Sequence, residues 1–357
     1  MTIEERKRDH LDICLHENVN ARKKTTLLEC VHLVHCALPE LDLDSVRLET
    51  SFLGHKLNLP LLIDSMTGGT QMSLEINRAL ASAAEEAGIG IGVGSQRAGL
   101  RRPEVAETYS VVRKAAPNAF IFGNLGAAQL VKGLTVADAK KAVEMIDADA
   151  LAIHINPLQE AVQVGGDPQW SGALQKIKEL ASSLDTPIIA KEVGAGISGD
   201  VAKQLQDAGV AAINVSGAGG TSWSGVESIR AMRANNEKVS ALGEAFWDWG
   251  IPTAAALIDV RRKVALPVIA SGGIRTGIEI AKAISLGADV CAMARPFLIE
   301  AAKGGQKQVL SLIDSLSSQL RLAMFLTGSQ NTQALRRAKK VITGDLVRWY
   351  EATSIES

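Results

Sequence analysis

Aromatic residues are scarce, at 4% of the 357-residue chain, which speaks against a surface that recognises nucleic acid by stacking bases. Neither sign of charge dominates. The 38 Lys and Arg stand against 39 Asp and Glu, a formal net charge of -1, so the electrostatic footprint of a nucleic-acid binder is missing. Cysteine is sparse too: Cys14, Cys30, Cys36 and Cys291 are scattered and form no CxxC pair, which argues against both a disulfide framework and a zinc site. No apolar run approaches the roughly 18–20 residues needed to cross a bilayer, and the opening MTIEERKRDH is charged where a signal peptide turns apolar. These absences lead to the expectation of a cytoplasmic protein with neither membrane nor nucleic-acid partners.

Hydrophobic residues make up 46% and charged residues 22%, the balance of a chain that folds rather than one that stays disordered. The 32 glycines gather at the ends of short apolar runs. Eight such runs recur after residue 55: Pro60–Ser65, Ile89–Gly94, Ala119–Asn124, Ala150–Ile155, Pro187–Lys191, Ala211–Val215, Pro267–Ala270 and Asp289–Ala292. Amphipathic stretches such as Ser73–Ala87 and Ile278–Leu286 lie between them and often end in glycine (Gly88, Gly209, Gly287). Strand and helix in series at this spacing predict a parallel sheet with covering helices, and eight units over about 250 residues is the arithmetic of a (β/α)8 TIM barrel. A doubly wound open sheet is the alternative. The insertion Gly217–Thr253 carries Trp223, Trp247 and Trp249. The whole chain, 1–357, is read as a single barrel domain: an N-terminal segment over 1–55, the barrel over 56–304, and a C-terminal helical extension over 305–357.

A barrel presents its ligands to the loops after the C-terminal strand ends, and those positions are polar here. Gly272, Gly273 and Arg275, with Ala294 and Arg295, fit a phosphate cradle at loops seven and eight, where a glycine turn bares backbone N–H groups at a helix start; a turn that needs glycine only for steric reasons would look the same. Lys191 closes an apolar strand, where an ammonium is costly to bury unpaired. Glu192, a Schiff base, or the N1/O2 edge of a flavin are its open partners. Thr67, Ser95 and Asn124 on neighbouring strands can hydrogen-bond the polar edge of the same ring. Arg97, the pair Arg6-Lys7 and His10 suggest a second anion site, although ERKRDH taken alone reads as a solvated helix face. At the fourth strand end, His154, Asn156, Gln159 and Glu160 fall within seven residues. One carboxylate plus waters and substrate phosphates is a common Mg²⁺ arrangement, while His154 alone also suits a satisfied inward-facing histidine.

In this order the segments RKRDH, SMTGG, GSQR, GNLGA, AIHINPLQE, KEVG, VSGAGGTSW, FWDWGIPT, SGGIRTG and AMARPFL resemble the FMN-dependent, type 2 isopentenyl-diphosphate isomerases over almost the whole chain. The resemblance implies a 1,3 proton shift that turns isopentenyl diphosphate into dimethylallyl diphosphate without net redox change, using reduced FMN, NADPH as reductant and Mg²⁺. It assigns Arg6, Lys7, Arg97 and Gln159 to substrate and Glu160 to the metal; His10 and Asn156 join the substrate set from their places beside these residues. FMN falls to Met66, Thr67, Gly68, Ser95, Asn124, Lys191, Ser216, Thr221, the turn Gly273-Ile274-Arg275, and Ala294-Arg295. Reduced FMN would act as acid and base, with His154 and Gln159 shaping the site or relaying protons. A homo-oligomer, tetramer or octamer, and an N-terminal segment that caps the substrate complete the expectation. An FMN-dependent oxidoreductase on the same barrel is the rival reading; the inosine-monophosphate dehydrogenase type needs a cysteine after the sixth strand, and Gly217–Gly225 has none. A non-catalytic FMN or diphosphate sensor would have no use for the Arg6-Lys7, Gln159 and Glu160 cluster.

Overall fold

The computed structural model describes residues 3–353. Its centre is a closed barrel of eight strands, Leu61–Ile63, Gly90–Gly92, Ile121–Gly126, Ala150–His154, Ile188–Lys191, Ala212–Asn214, Val268–Ala270 and Val290–Met293. All neighbours pair in parallel, and the eighth strand closes on the first through Cys291 opposite Leu61. Each predicted run holds one strand, so the closed barrel is the architecture and the open sheet is not.

Alternation within the strands decides what faces the interior. Leu62, Phe122, Ala152, Ile189, Ala212, Ile269, Val290 and Ala292 form one buried cluster that fills the barrel. Their neighbours, among them Leu61, Ile63, Leu151, Ile153, Ala190 and Ile213, belong to the larger core beneath the helices. Gly92 is required by this packing, because a Cβ there would lie 2.1 Å from the Phe122 ring. Followed two residues further along six of the eight strands, the inward set changes from apolar to polar. Asp64, Asn124, His154, Lys191, Asn214 and Ser271 occupy those steps, and this change of chemistry marks the end of the barrel that takes ligands.

The opposite end is floored by a hairpin, Thr50–Phe52 with His55–Leu57. Its Phe52 meets Phe120 edge to face at 5.5 Å. The Trp-bearing insertion forms two helices, Trp223–Arg233 and Glu237–Ala245, and Trp247 anchors them by donating from Nε1 to the Asn20 carbonyl at 2.9 Å.

The C-terminal tail departs from its purely helical expectation. A long helix, Arg295–Phe325, is bent at Gly304 and Gly305, and helices follow over Thr332–Arg337 and Gly344–Ala352. Between those two, Lys340–Ile342 forms a strand that pairs antiparallel with Val31–Leu33. Three residues are too short to show a period, and the partner lies some three hundred positions upstream. Among the described residues no helix is long and apolar enough to cross a membrane.

Close backbone contact also governs the outer ring. The helix Gly277–Ser285 starts at a capping box made by Thr276 and Glu279, and its first residue lies against the long C-terminal helix. A Cβ on Gly277 would fall 2.2 Å from the Leu316 carbonyl oxygen and 2.6 Å from the Leu320 nitrogen. Because backbone cannot swing aside as a side chain can, Gly277→Ala is expected to cost about 1–3 kcal/mol through overpacking. The urea midpoint should fall with its slope unchanged; an unaltered midpoint would mean the two helices separate freely.

Candidate active site

The polar strand ends and the N-terminal helix Ile3–His16 enclose an open cavity of about 1470 Å³, counted out to its mouth. Every predicted site residue lines it, from Arg6 on the N-terminal helix to Arg295 after the eighth strand. Its lining runs from the strand ends on one side to the N-terminal helix on the other, so one ligand held at the strand ends and another held beneath the helix would share it.

The floor is built from the inward polar residues. Lys191, 4% exposed, donates to the Glu192 carbonyl at 2.8 Å and lies 3.8 Å from Asp64 Oδ2. Its sequence neighbour Glu192 points elsewhere: its carboxylate accepts from the backbone N–H groups of Val193 and Gly194 at 2.6 Å each, and of Ala195. Burial raises the Glu192 pKa against these donors. His154 Nδ1 donates to Asn124 Oδ1 at 2.7 Å. Burial, followed by the charges of Lys191 and Lys7, lowers its pKa to about 3, so the ring is neutral and keeps Nε2 as an acceptor.

These residues fit a flavin. Ser65 Oγ and Asn156 Oδ1 are buried in the cavity without a protein partner, and unsatisfied polar atoms of this kind call for a ligand. At loops six and seven, Gly272 and Gly273 adopt left-handed φ of 96° and 82°. A Cβ on Gly220 would lie 2.4 Å from the Gly273 nitrogen, and one on Gly272 would lie 2.1 Å from the Gly217 carbonyl oxygen. Only glycine can form this cradle, which suits phosphate bound by backbone N–H groups. Met66, Thr67, Gly68, Ser95, Ser216, Thr221, Ile274 and Ala294 border the same space. Arg275 lines it as well, its pKa lowered chiefly by burial and next by Arg295. The Arg295 side chain is spent otherwise: it donates to the carbonyls of Cys14 at 2.7 Å and Glu17 at 2.8 Å and to Asn20 Oδ1 at 3.1 Å, gripping the end of the N-terminal helix.

A ring of charge surrounds the mouth. Arg6 sits among the fields of Glu160, Glu227 and Asp167, with burial the larger influence, lowering its pKa. Arg97 lies 3.5 Å from Asp167. His10 shares a 2.7 Å hydrogen bond with Glu227 and meets Trp223 edge-on at 5.3 Å. Lys7 donates to the carbonyls of Gly68 at 2.7 Å and Ser95 at 2.8 Å and to the Tyr109 hydroxyl, so here its ammonium ties the N-terminal helix to two cofactor loops. Asn156 donates to Gln159 Oε1 at 2.9 Å. Glu160 Oε2 accepts from the Asp167 N–H at 2.7 Å, while Oε1 has only a long 3.4 Å contact from Asn156 and remains available to a cation. Among the described residues no three His, Cys, Asp or Glu side chains group as a ready-made metal cage.

Sequence reasoning missed Asp64, Tyr109, Asp167, Trp223 and Glu227 as parts of this site. The step-by-two rule along the first strand could have flagged Asp64 as inward-facing. Glu227 pairs locally with Arg230 at 2.7 Å, but the partners that join Glu227 and Asp167 to the site, His10 and Arg97, arrive from distant segments.

Residues 154–342 match the FMN-dependent dehydrogenase family. The isopentenyl-diphosphate delta-isomerase of Methanosarcina barkeri is 51% identical over 343 residues, covering 96% of this chain and 93% of that protein. The enzyme of the same name from Methanothermobacter thermautotrophicus is 46% identical over 355 residues, covering 99% and 98%. A solved mandelate oxidase variant with a monooxide FMN adduct shares the fold, with a TM-score of 0.64 and 20% identity over 95% of this chain and 99% of that one. Identity near one half, sustained across nearly the full length of both relatives, shows that the chain belongs to the isopentenyl-diphosphate delta-isomerase family.

Proposed function

We propose that this FMN-dependent isomerase converts isopentenyl diphosphate into dimethylallyl diphosphate by a 1,3 proton shift, in isoprenoid biosynthesis. The observation that carries the reading is one cavity with two chemistries: a flavin-sized polar floor, and above it a rim of cations suited to a diphosphate.

Protonating an unactivated alkene creates a tertiary cation, and the side chains here are poorly placed to do it. His154 is neutral, with a pKa near 3, and therefore has no proton to give at neutral pH. Burial drives the Cys14 thiol up to about 12, and Glu192 is occupied by its own loop. When bound, reduced FMN supplies the proton and the electron-rich face that steadies the cation. Lys191 holds the pyrimidine edge, Thr67, Ser95 and Asn124 orient the ring, and the Gly272-Gly273 turn with the Ala294-Arg295 backbone holds the phosphate. Arg6 and Arg97 bind the diphosphate, Gln159 and Asn156 position the alkene end, and neutral His154 shapes the wall. Glu160, whose Oε1 has only a long contact from Asn156, would hold Mg²⁺, and the metal would supply the positive charge that lets a carboxylate and a diphosphate share one site. The segment over 1–55 caps the site, NADPH keeps the flavin reduced, and the working form is a cytoplasmic homo-oligomer.

Because the flavin ends each cycle as it began, turnover is expected after anaerobic photoreduction with no nicotinamide present. Equal activity with oxidised FMN would remove the acid–base assignment.

Glu160→Gln should raise the Mg²⁺ concentration for half-maximal rate while FMN binding is retained; Arg6→Ala should raise KM at every Mg²⁺ level, the signature of an interaction made alike in ground and transition states. An unchanged Mg²⁺ requirement in Glu160→Gln would move that carboxylate into proton transfer.

A pH limb is expected from Lys7. Burial, then Arg6 and Arg102, pull its pKa to about 7, so the ammonium that ties the N-terminal helix to the loops is charged below that value and loses its charge above it. KM should climb between pH 6.5 and 8.5, and Lys7→Arg, which keeps its proton throughout, should flatten the climb. The same steep profile in both proteins would assign the limb to another group.

A further inference from the structure

Asp64 has no part in the chemistry above, yet it is buried at the centre of the cavity floor, 5% exposed. It stands at the end of the first strand and is held from several sides. Ser65 N–H donates to Oδ1 at 2.7 Å, and Asn214 Nδ2 donates to Oδ2 at 3.1 Å. Asn214 Oδ1 in turn accepts from Ser271 Oγ at 2.6 Å. The chain Ser271, Asn214, Asp64 therefore crosses from the seventh strand through the sixth to the first, and its charged end lies 3.8 Å from Lys191 Nζ on the fifth.

A buried carboxylate is a costly way to accept hydrogen bonds that a neutral amide would also accept. What the charge adds is its effect on Lys191. Unopposed, the ammonium would act at full strength on whatever lies above it. With Asp64 beside it, part of that field is cancelled and Nζ is drawn toward the floor. Glu192 also feels Lys191, but its carboxylate is turned into its own loop. His154 is uncharged.

We propose that Asp64 is a positioning residue: as the counter-ion of Lys191, it sets how strongly that lysine favours reduced over oxidised FMN. The inference rests on the reading that places Lys191 at the flavin edge. It deepens that reading, because a flavin serving as acid and base must release its proton as well as hold it, and an over-stabilised anion makes a weak base.

The test compares FMN-loaded parent and Asp64→Asn by redox-dye equilibration at one pH, with circular dichroism as a check on folding. The amide keeps the hydrogen-bonding shape and removes the charge. Opposite charges within about 4–6 Å commonly shift such equilibria by one to three powers of ten. The smallest of these applies here, so the preference for reduced FMN should rise about tenfold, or about 30 mV for a two-electron couple. A parent-like potential with lower thermal stability would overturn the proposal and leave Asp64 as a strand-end brace.

Should Asp64→Asn not fold, Lys191→Met and the pair Asp64→Asn/Lys191→Met carry the test, the pair leaving neither charge buried alone. Because Asp64 acts through Lys191, the pair should keep the potential of Lys191→Met, and a pair that prefers reduced FMN about tenfold more than Lys191→Met would refute the counter-ion role, since the carboxylate would then act without the lysine. If Lys191→Met itself keeps the parent potential, the placement of Lys191 fails instead, so the two failures are distinguishable.

Discussion

A buried ammonium must be compensated, and Lys191 sets the terms for the floor of the cavity. Its strand delivers it to the interior because Ile189, two positions earlier, faces the same way and packs in the barrel. Once there it needs an acceptor and a countercharge, found in the Glu192 carbonyl and Asp64. Asp64 draws Asn214 toward it, and Asn214 draws Ser271. The lysine's field also helps to keep His154 neutral, which turns that ring from an acid into an acceptor. A single charge thus orders residues from five strands, and the site left above them is rigid before any ligand arrives, as a preorganised electrostatic environment requires.

The rim follows a different logic, because it rests on a helix that the barrel does not contain. Two grips hold that helix. Lys7 bonds the carbonyls of Gly68 and Ser95, tying its first half to the loops after strands one and two. Arg295 bonds the carbonyls of Cys14 and Glu17, where the helix dipole is negative and a cation is favoured. The same turn that offers backbone N–H groups at the start of the Arg295–Phe325 helix thereby fixes the far end of the cap. Barrel loops and N-terminal helix share their anchors, so ordering one orders the other.

How much of this was legible follows from how far each signal travels along the chain. The eight strands were, because an apolar run bounded by glycine is a local property and the helices between them repeat at a regular interval. The cavity residues were too, from Thr67 to Arg275, because a barrel sends the end of every strand to the same place. The pairing of Lys340–Ile342 with Val31–Leu33 was not, since two three-residue edges carry no period and meet only after the barrel closes. Glu227 shows the same limit in the site: it lies on a helix of the insertion, and nothing near it in sequence announces that His10, more than two hundred residues away, will donate to it. Lys7 was read as a substrate ligand on its charge, and only the folded chain reveals the carbonyls that occupy its donors.

The likeness to mandelate oxidase, at 20% identity, concerns the scaffold alone, and the residues explain why one scaffold can serve unlike chemistry. A glycine cradle and a lysine floor require only that a flavin be present. What the flavin does is decided by the groups facing it. A hydride-transferring site needs a charged or basic partner to take the substrate's proton. Here the fourth-strand wall of the cavity is a neutral imidazole whose Nδ1 is committed to Asn124 and whose lowered pKa makes it a poor base, and the charges of the floor, Lys191 and Asp64, face each other. The cations Arg6 and Arg97 line the same cavity from the N-terminal helix and the loop after the second strand. On the proposed reading, a flavin bound there would meet no strong side-chain acid or base among the described residues, which is the condition under which a redox cofactor works as an acid and a base.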